Sequence, residues 1–136
     1  MKCNTKDNMK DKLIFYRCES CGNLILMLED AGVTPICCGK PMTQLSAAME
    51  DGDAEKHVPV CRVSDDTVTV SIGSKPHPME ESHHILWICL QTTCGIHLCH
   101  LCAKDKPEAI FRLSDGERPL RAYAYCNIHG LWVADR

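Results

Sequence analysis

A chain of 136 residues is long enough for one ordinary domain, or for one small core joined to a module that cannot fold without a staple. Its 45% hydrophobic and 24% charged content is that of a soluble globular protein, and a net charge of -3 with a pI near 6.1 offers no basic face to a nucleic acid. No apolar run approaches the roughly 20 residues that cross a bilayer, which argues against a membrane protein.

The informative numbers are 11 cysteines and 7 histidines. Residues 1–12 (MKCNTKDNMKDK) alternate charge with small polar groups and hold no apolar stretch able to act as a secretory signal, so a reducing, cytoplasmic setting is expected. Clustered thiols in that setting point to metal rather than to a disulfide framework. The same residues bury nothing and read as a flexible arm, with Cys3 an incidental thiol.

Residues 13–46 form a compact unit. Cys18-Glu19-Ser20-Cys21-Gly22 is a knuckle, in which backbone N–H groups point at thiolates and glycine supplies the positive φ that closes the turn. Cys37 and Cys38 complete a set of four thiolates for one tetrahedral ion. About 35 residues cannot bury enough surface to be stable alone, so the metal would supply folding energy. Zinc and iron both suit the spacing. The adjacent pair, whose side chains should diverge and distort a tetrahedron, favours iron.

Residues 47–54 are small and acidic around a glycine, which is linker composition, and a domain spanning 55–136 follows. Strands are predicted over 57–63, 67–72, 85–92, 96–101, 109–113, 120–126 and 131–134, separated by turn signals such as Ser64-Asp65-Asp66 and Ser114-Asp115-Gly116. Val68, Val70 and Ile72 alternate with Thr67, Thr69 and Ser71, so that strand has one buried face. Short antiparallel strands at this density predict an immunoglobulin-like β-sandwich, and the whole chain is expected to be mainly β.

Histidines fall at strand ends and in loops: Glu55-Lys56-His57, then His77-Pro78-Met79-Glu80-Glu81-Ser82-His83-His84, then Cys126-Asn127-Ile128-His129-Gly130. A lone histidine is usually a satisfied polar residue. Four imidazoles with one thiolate, in a chain already marked by thiolate clusters, suggest instead a five-coordinate site with a sixth position free for chemistry.

These motifs carry a resemblance. CESCGN with CCGKPM resembles the desulforedoxin-type module, which binds one rubredoxin-like iron through four cysteines, here Cys18, Cys21, Cys37 and Cys38. EKHVP, HPMEESHHI and YCNIHG resemble the superoxide reductase family, and together with the module they resemble its two-iron form, the desulfoferrodoxins. The resemblance implies equatorial ligation of a ferrous ion by His57, His77, His83 and His129, an axial Cys126, and Glu55 as sixth ligand of the oxidised state. His84 does not match the pattern.

The implied reaction is one-electron reduction of superoxide to hydrogen peroxide with no release of oxygen. Superoxide is a small anion, so Lys56 beside His57 would attract it and orient the water that delivers protons. The Cys126 thiolate would push electron density toward the opposite position. The electron would come from a rubredoxin-like donor, and two copies of the chain would pair through their desulforedoxin-like units. Whether the four-cysteine iron relays electrons or is structural stays open. The alternative is a non-catalytic two-iron electron-transfer or metal-binding protein.

Cys89, Cys94, His97, Cys99, His100 and Cys102 depart from the family pattern. Cys99-His100-Leu101-Cys102 has ligand spacing, but strand alternation would point Cys99 and Cys102 to opposite faces, and packing as small apolar residues is the preferred reading. Cys61 reads as a core thiol.

Overall fold

The structure, a computed structural model, describes residues 11–50 and 57–135. Among the described residues it contains twelve β-strands and no helix. Among the described residues no helix is long and apolar enough to cross a membrane. The predicted arm falls largely on residues 1–10, outside the described residues, and half of the predicted linker, 51–54, is likewise outside them.

Asp11–Ser46 forms one compact unit. Strands β1 (Ile14–Arg17), β2 (Leu24–Met27) and β5 (Thr43–Gln44) make a sheet in the order β2-β1-β5, and β3 (Ile36–Cys37) pairs with β4 (Lys40–Pro41) as a hairpin. Tyr16, Cys18 and Met42 are its buried cluster, joined by Ile14, Met27 and Cys37. Two of those six side chains are candidate ligands, so little apolar surface remains to hold the unit together without a metal. Several large apolar residues face outward instead, with Leu28, Val33 and Ile36 more than 70% exposed.

The second unit begins at Ala47. It contains β6 (Pro59–Ser64), β7 (Thr67–Ile72), β8 (Ile85–Thr92), β9 (Ile96–His100), β10 (Glu108–Arg112), β11 (Pro119–Cys126) and β12 (Gly130–Asp135). One sheet runs β10-β7-β6 and the other β12-β11-β8-β9, with every pairing antiparallel. Val68, Val70 and Ile72 of the first sheet meet Ile88, Leu90, Ala122, Ala124 and Cys126 of the second in one core. Burying a Val or Ile side chain contributes about 1.5–3 kcal/mol, so this layer is a large favourable contribution to the unit's stability. The alternation on β7 is the predicted one, and the sandwich follows from it.

The predicted linker is not wholly a spacer. Ala48 donates its N–H to the Leu131 carbonyl at 2.9 Å and accepts from the Val133 N–H at 2.9 Å, forming a parallel bridge to Trp132 on β12.

Antiparallel register decides where the loops meet. Pro59 pairs with Ile72, Cys126 with Ile85, and Cys126 with Gly130, so the start of β6, the β7–β8 loop and the β11–β12 turn lie at one end of the sandwich. A register shift between Tyr125 and Cys126 marks a bulge at that end, a feature that re-aims side chains at functional sites.

The opposite end is closed by Glu117, whose side chain is 4% exposed. Its carboxylate accepts from the Thr92 hydroxyl, from the Ser114 N–H at 2.9 Å and from His97 Nε2 at 2.9 Å. Burial opposes ionisation, but these donors outweigh it and hold the Glu117 carboxyl below its usual range. A depressed folded pKa means stability that is present above the unfolded value, near 4.5, and lost as pH falls through the folded value. Glu117→Gln should therefore melt at a lower temperature than wild type above about pH 5, with the gap closing in acid; a gap independent of pH would show that ionisation of Glu117 contributes nothing.

Candidate metal centres

In the first unit the sequence places four thiols, and the backbone brings them together. After β1, Cys18 accepts from the Cys21 N–H at 3.4 Å, and Cys21 Sγ accepts from the Asn23 N–H at 3.5 Å. Gly22 closes the knuckle with φ +82° and donates to the Cys18 carbonyl at 2.8 Å. Across from it, Cys38 and Gly39 form the two-residue turn of the β3–β4 hairpin, both with positive φ (54° and 73°). On a regular strand Cys37 and Cys38 would point to opposite faces; the left-handed conformation of Cys38 removes that divergence. For a residue with a Cβ it costs on the order of 1 kcal/mol. The four sulfur atoms lie within 4.8 Å of one another, with Cys21 and Cys37 Sγ 3.6 Å apart.

Crowding makes these thiols unequal. The Cys21 N–H, the largest influence, pulls Cys18 down to about 6 despite its burial. Hydrogen bonds to Cys21 and then to Cys18 push Cys37 up, and the same partners together with Cys37 push Cys38 up to about 12. Four sulfurs this close cannot all be anionic without a cation between them, and a metal that prefers thiolates meets that need. Loading must expel the Cys37 and Cys38 protons, so metal binding strengthens as pH rises.

In the second unit, three segments at one end of the sandwich supply a second set. His57 precedes β6 and is 4% exposed; His77, 3% exposed, and His83 come from the β7–β8 loop; Cys126 ends β11, fully buried; and His129 lies in the turn to β12. Ring centroids run 4.6 Å from His57 to His77, 4.7 Å from His77 to His83, 5.1 Å from His83 to His129 and 4.8 Å from His129 back to His57. His57 and His83 are opposite at 6.4 Å, so the four imidazoles close a square. Donor atoms of His57, His83, Cys126 and His129 all lie within 4.8 Å of one another; that of His77 is not in this group, although its ring completes the square. His77 Nδ1 is 2.7 Å from the Pro78 carbonyl, and a proton donated there leaves the lone pair on Nε2.

His57 Nε2 and His129 Nδ1 approach to 3.1 Å, and Cys126 Sγ lies 3.8 Å from His129 Nδ1 while accepting the His129 N–H at 3.4 Å. Gly130, with φ +79°, allows the turn that folds His129 back over Cys126. Buried imidazole nitrogens and a buried sulfur converging on one point fit a borderline first-row cation.

Two neighbours of this set are not evident in the sequence. The Trp132 ring stacks on His57 at 4.4 Å and 11°, fixing the plane of that imidazole. Asn127, between Cys126 and His129, bonds to the loop that carries His83. His84 turns its Nδ1 to the Glu80 carbonyl at 2.9 Å and stands outside the square, as the sequence pattern indicated. Glu55 and Lys56 lie outside the described residues.

The cysteine-rich segment does not assemble a third set among the described residues. Cys89 is buried in β8, where burial pushes its thiol up to about 12. Cys61 and Cys99 pack against the core, and Cys94 is disulfide-bonded and so offers no thiolate. His97 is engaged with Glu117. The predicted separation of Cys99 and Cys102 has a different cause from strand alternation: β9 ends at His100, and Cys102 is exposed in a turn with its N–H on Asp105 at 2.6 Å.

The metal stoichiometry follows from these two sets. Elemental analysis of the protein reconstituted with ferrous ion should give two equivalents per chain, and Cys38→Ser should give one; a third equivalent in wild type would contradict the packing role of Cys89 and Cys99.

Comparison with known proteins agrees with this arrangement. Residues 10–45 match the family model described as the desulfoferrodoxin N-terminal domain, and residues 49–135 match the one described as desulfoferrodoxin. The chain is 45% identical over 127 residues to desulfoferrodoxin of Syntrophotalea carbinolica, covering 93% of this chain and 99% of that one. It is 38% identical over 124 residues to a desulfoferrodoxin homolog of Archaeoglobus fulgidus, covering 91% and 98%. Among solved structures, the superoxide reductase of Treponema pallidum aligns with a TM-score of 0.80 at 34% identity, over 91% of this chain and 98% of that chain. With a four-thiol set in one matched unit and a histidine–cysteine set in the other, the chain belongs to the desulfoferrodoxin family, whose two irons these donors accommodate.

Proposed function

We propose that the chain is a superoxide reductase, converting one superoxide, one electron and two protons to hydrogen peroxide at the histidine–cysteine centre. The observation that carries the proposal is the closed square of imidazoles with a buried cysteine sulfur among its donors. His57, His77, His83, His129 and Cys126 would hold one ion with four nitrogens and one sulfur, and a set of five donors would leave that ion able to take a substrate. The similarity to the Treponema pallidum superoxide reductase over nearly the whole chain supports the same reading.

Iron bound there supplies the single electron. The rest is done by the chain. His77 acts as the fifth donor, its tautomer set by the Pro78 carbonyl. Cys126 is kept out of water, and the His129 N–H hydrogen bond moderates the charge on its sulfur. Lys56, adjacent in sequence to His57, would attract the anion and orient the proton-delivering water, and Glu55 would serve as a further ligand to the oxidised ion. His129 is exposed, giving a small diatomic anion access to the square.

Electrons arrive from a rubredoxin-like donor. Two copies of the chain pair through their first units, which the exposed Leu28, Val33 and Ile36 support, and the protein works in the cytoplasm.

Pulsed generation of superoxide against the reduced protein tests the proposal. Iron oxidation at the second centre should keep pace with superoxide loss, yielding one hydrogen peroxide per superoxide and no oxygen. Oxygen release would indicate dismutation, and failure to consume superoxide would favour plain electron transfer. Lys56→Ile should slow the reaction about tenfold and flatten its dependence on ionic strength. Cys38→Ser should keep the wild-type rate of first turnover, since the first centre is not where superoxide reacts.

A further inference from the structure

Asn127 is exposed and sits between two ligands, yet it makes three hydrogen bonds to a segment more than forty residues away in sequence. Its backbone N–H donates to the His84 carbonyl at 3.2 Å. Its side-chain Oδ1 accepts from the His84 N–H at 2.9 Å, and its Nδ2 donates to the Ser82 carbonyl at 3.1 Å. Ser82 and His84 are the two neighbours of His83. One planar amide therefore grips the chain on both sides of a ligand, while its own backbone belongs to the clip that carries Cys126 and His129.

The segment needs such a grip. Residues 73–84 contain no strand, and near the ligand they are shaped by the Glu80–His83 bridge, whose two hydrogen bonds (2.9 and 3.1 Å) are internal to the loop. Those bonds shape the loop without referring it to the clip. Asparagine suits the joint because its head group offers an acceptor and a donor in one plane, matching an N–H and a carbonyl presented side by side. Aspartate would keep the acceptor but set an oxygen against the Ser82 carbonyl.

We propose that Asn127 is a positioning residue of the histidine–cysteine centre: by holding Ser82 and His84 it sets the His83 imidazole against Cys126 and His129, and so fixes the coordination number and retention of the metal. This rests on the reading of the second set as a metal centre containing His83.

The test uses Co(II) as probe in the full chain. Cobalt is titrated against a competing chelator, its visible ligand-field spectrum reports coordination number, and thermal melting checks the fold. Asn127→Asp is the decisive variant, because a carboxylate near a cation should tighten binding if charge governed the site, whereas loss of the Ser82 bond should loosen it. The expected result is a ten- to hundredfold weaker second site, with a spectrum shifted toward lower coordination number and the four-cysteine site unchanged. Asn127→Ala should show at least the same loss. Ile128→Ala, an exposed change in the same turn, should bind as wild type.

Asp or Ala variants that retain wild-type affinity and spectrum would overturn the proposal, as would an Ile128→Ala loss as large as theirs. If Ala does not fold, Asp still decides. A wild-type chain with no second cobalt site would instead refute the centre itself.

Discussion

Electron-rich donors tolerate one another's company only around a cation, and both units of this chain are built on that constraint. In the first unit the conflict is visible as a spread of acidities, with Cys18 drawn down to about 6 and Cys38 pushed up to about 12 within a single cluster. In the second, imidazole nitrogens converge at 3.1 Å beside a buried sulfur. The second unit keeps an apolar sandwich core beneath its set. The first would trade apolar burial for a dependence on metal, since two of its six clustered side chains are cysteines of the four-thiol set.

The two centres are supported differently. The four thiols sit on tight turns whose geometry is local, a glycine-closed knuckle and a two-residue hairpin, so the site can assemble from short-range structure. The histidine–cysteine set draws on segments separated by up to 72 residues, and it exists because antiparallel register delivers two chain reversals and the start of β6 to one end of a sandwich. Its precision depends on the sheets first, and then on contacts such as Trp132 against His57 that hold each ring in its plane.

Much of this was legible in the sequence. The alternation in β7 gave its buried face residue by residue, and β8 was predicted with its observed limits. Ligand motifs were legible because their chemistry is local: a cysteine and a histidine three apart before a glycine form a clip in almost any fold. What escaped was set by contacts distant in sequence or by backbone conformation. Nothing in a small acidic stretch announces that Ala48 will join the edge of β12. Cys38 departs from the expected divergence through a positive φ that the sequence hints at only in the following glycine. The predicted strand through Leu101 ends one residue early, which moves Cys102 into a turn.

The stacking of Trp132 on His57 also has an optical consequence. An indole in face contact with the His57 imidazole lies within quenching range of whatever that imidazole would bind, whereas the chain's other indole, Trp87, stacks on Tyr125 and faces away from the core that includes Cys126. Emission from Trp132 is thus an intrinsic gauge of filling at the second centre, readable without label or substrate.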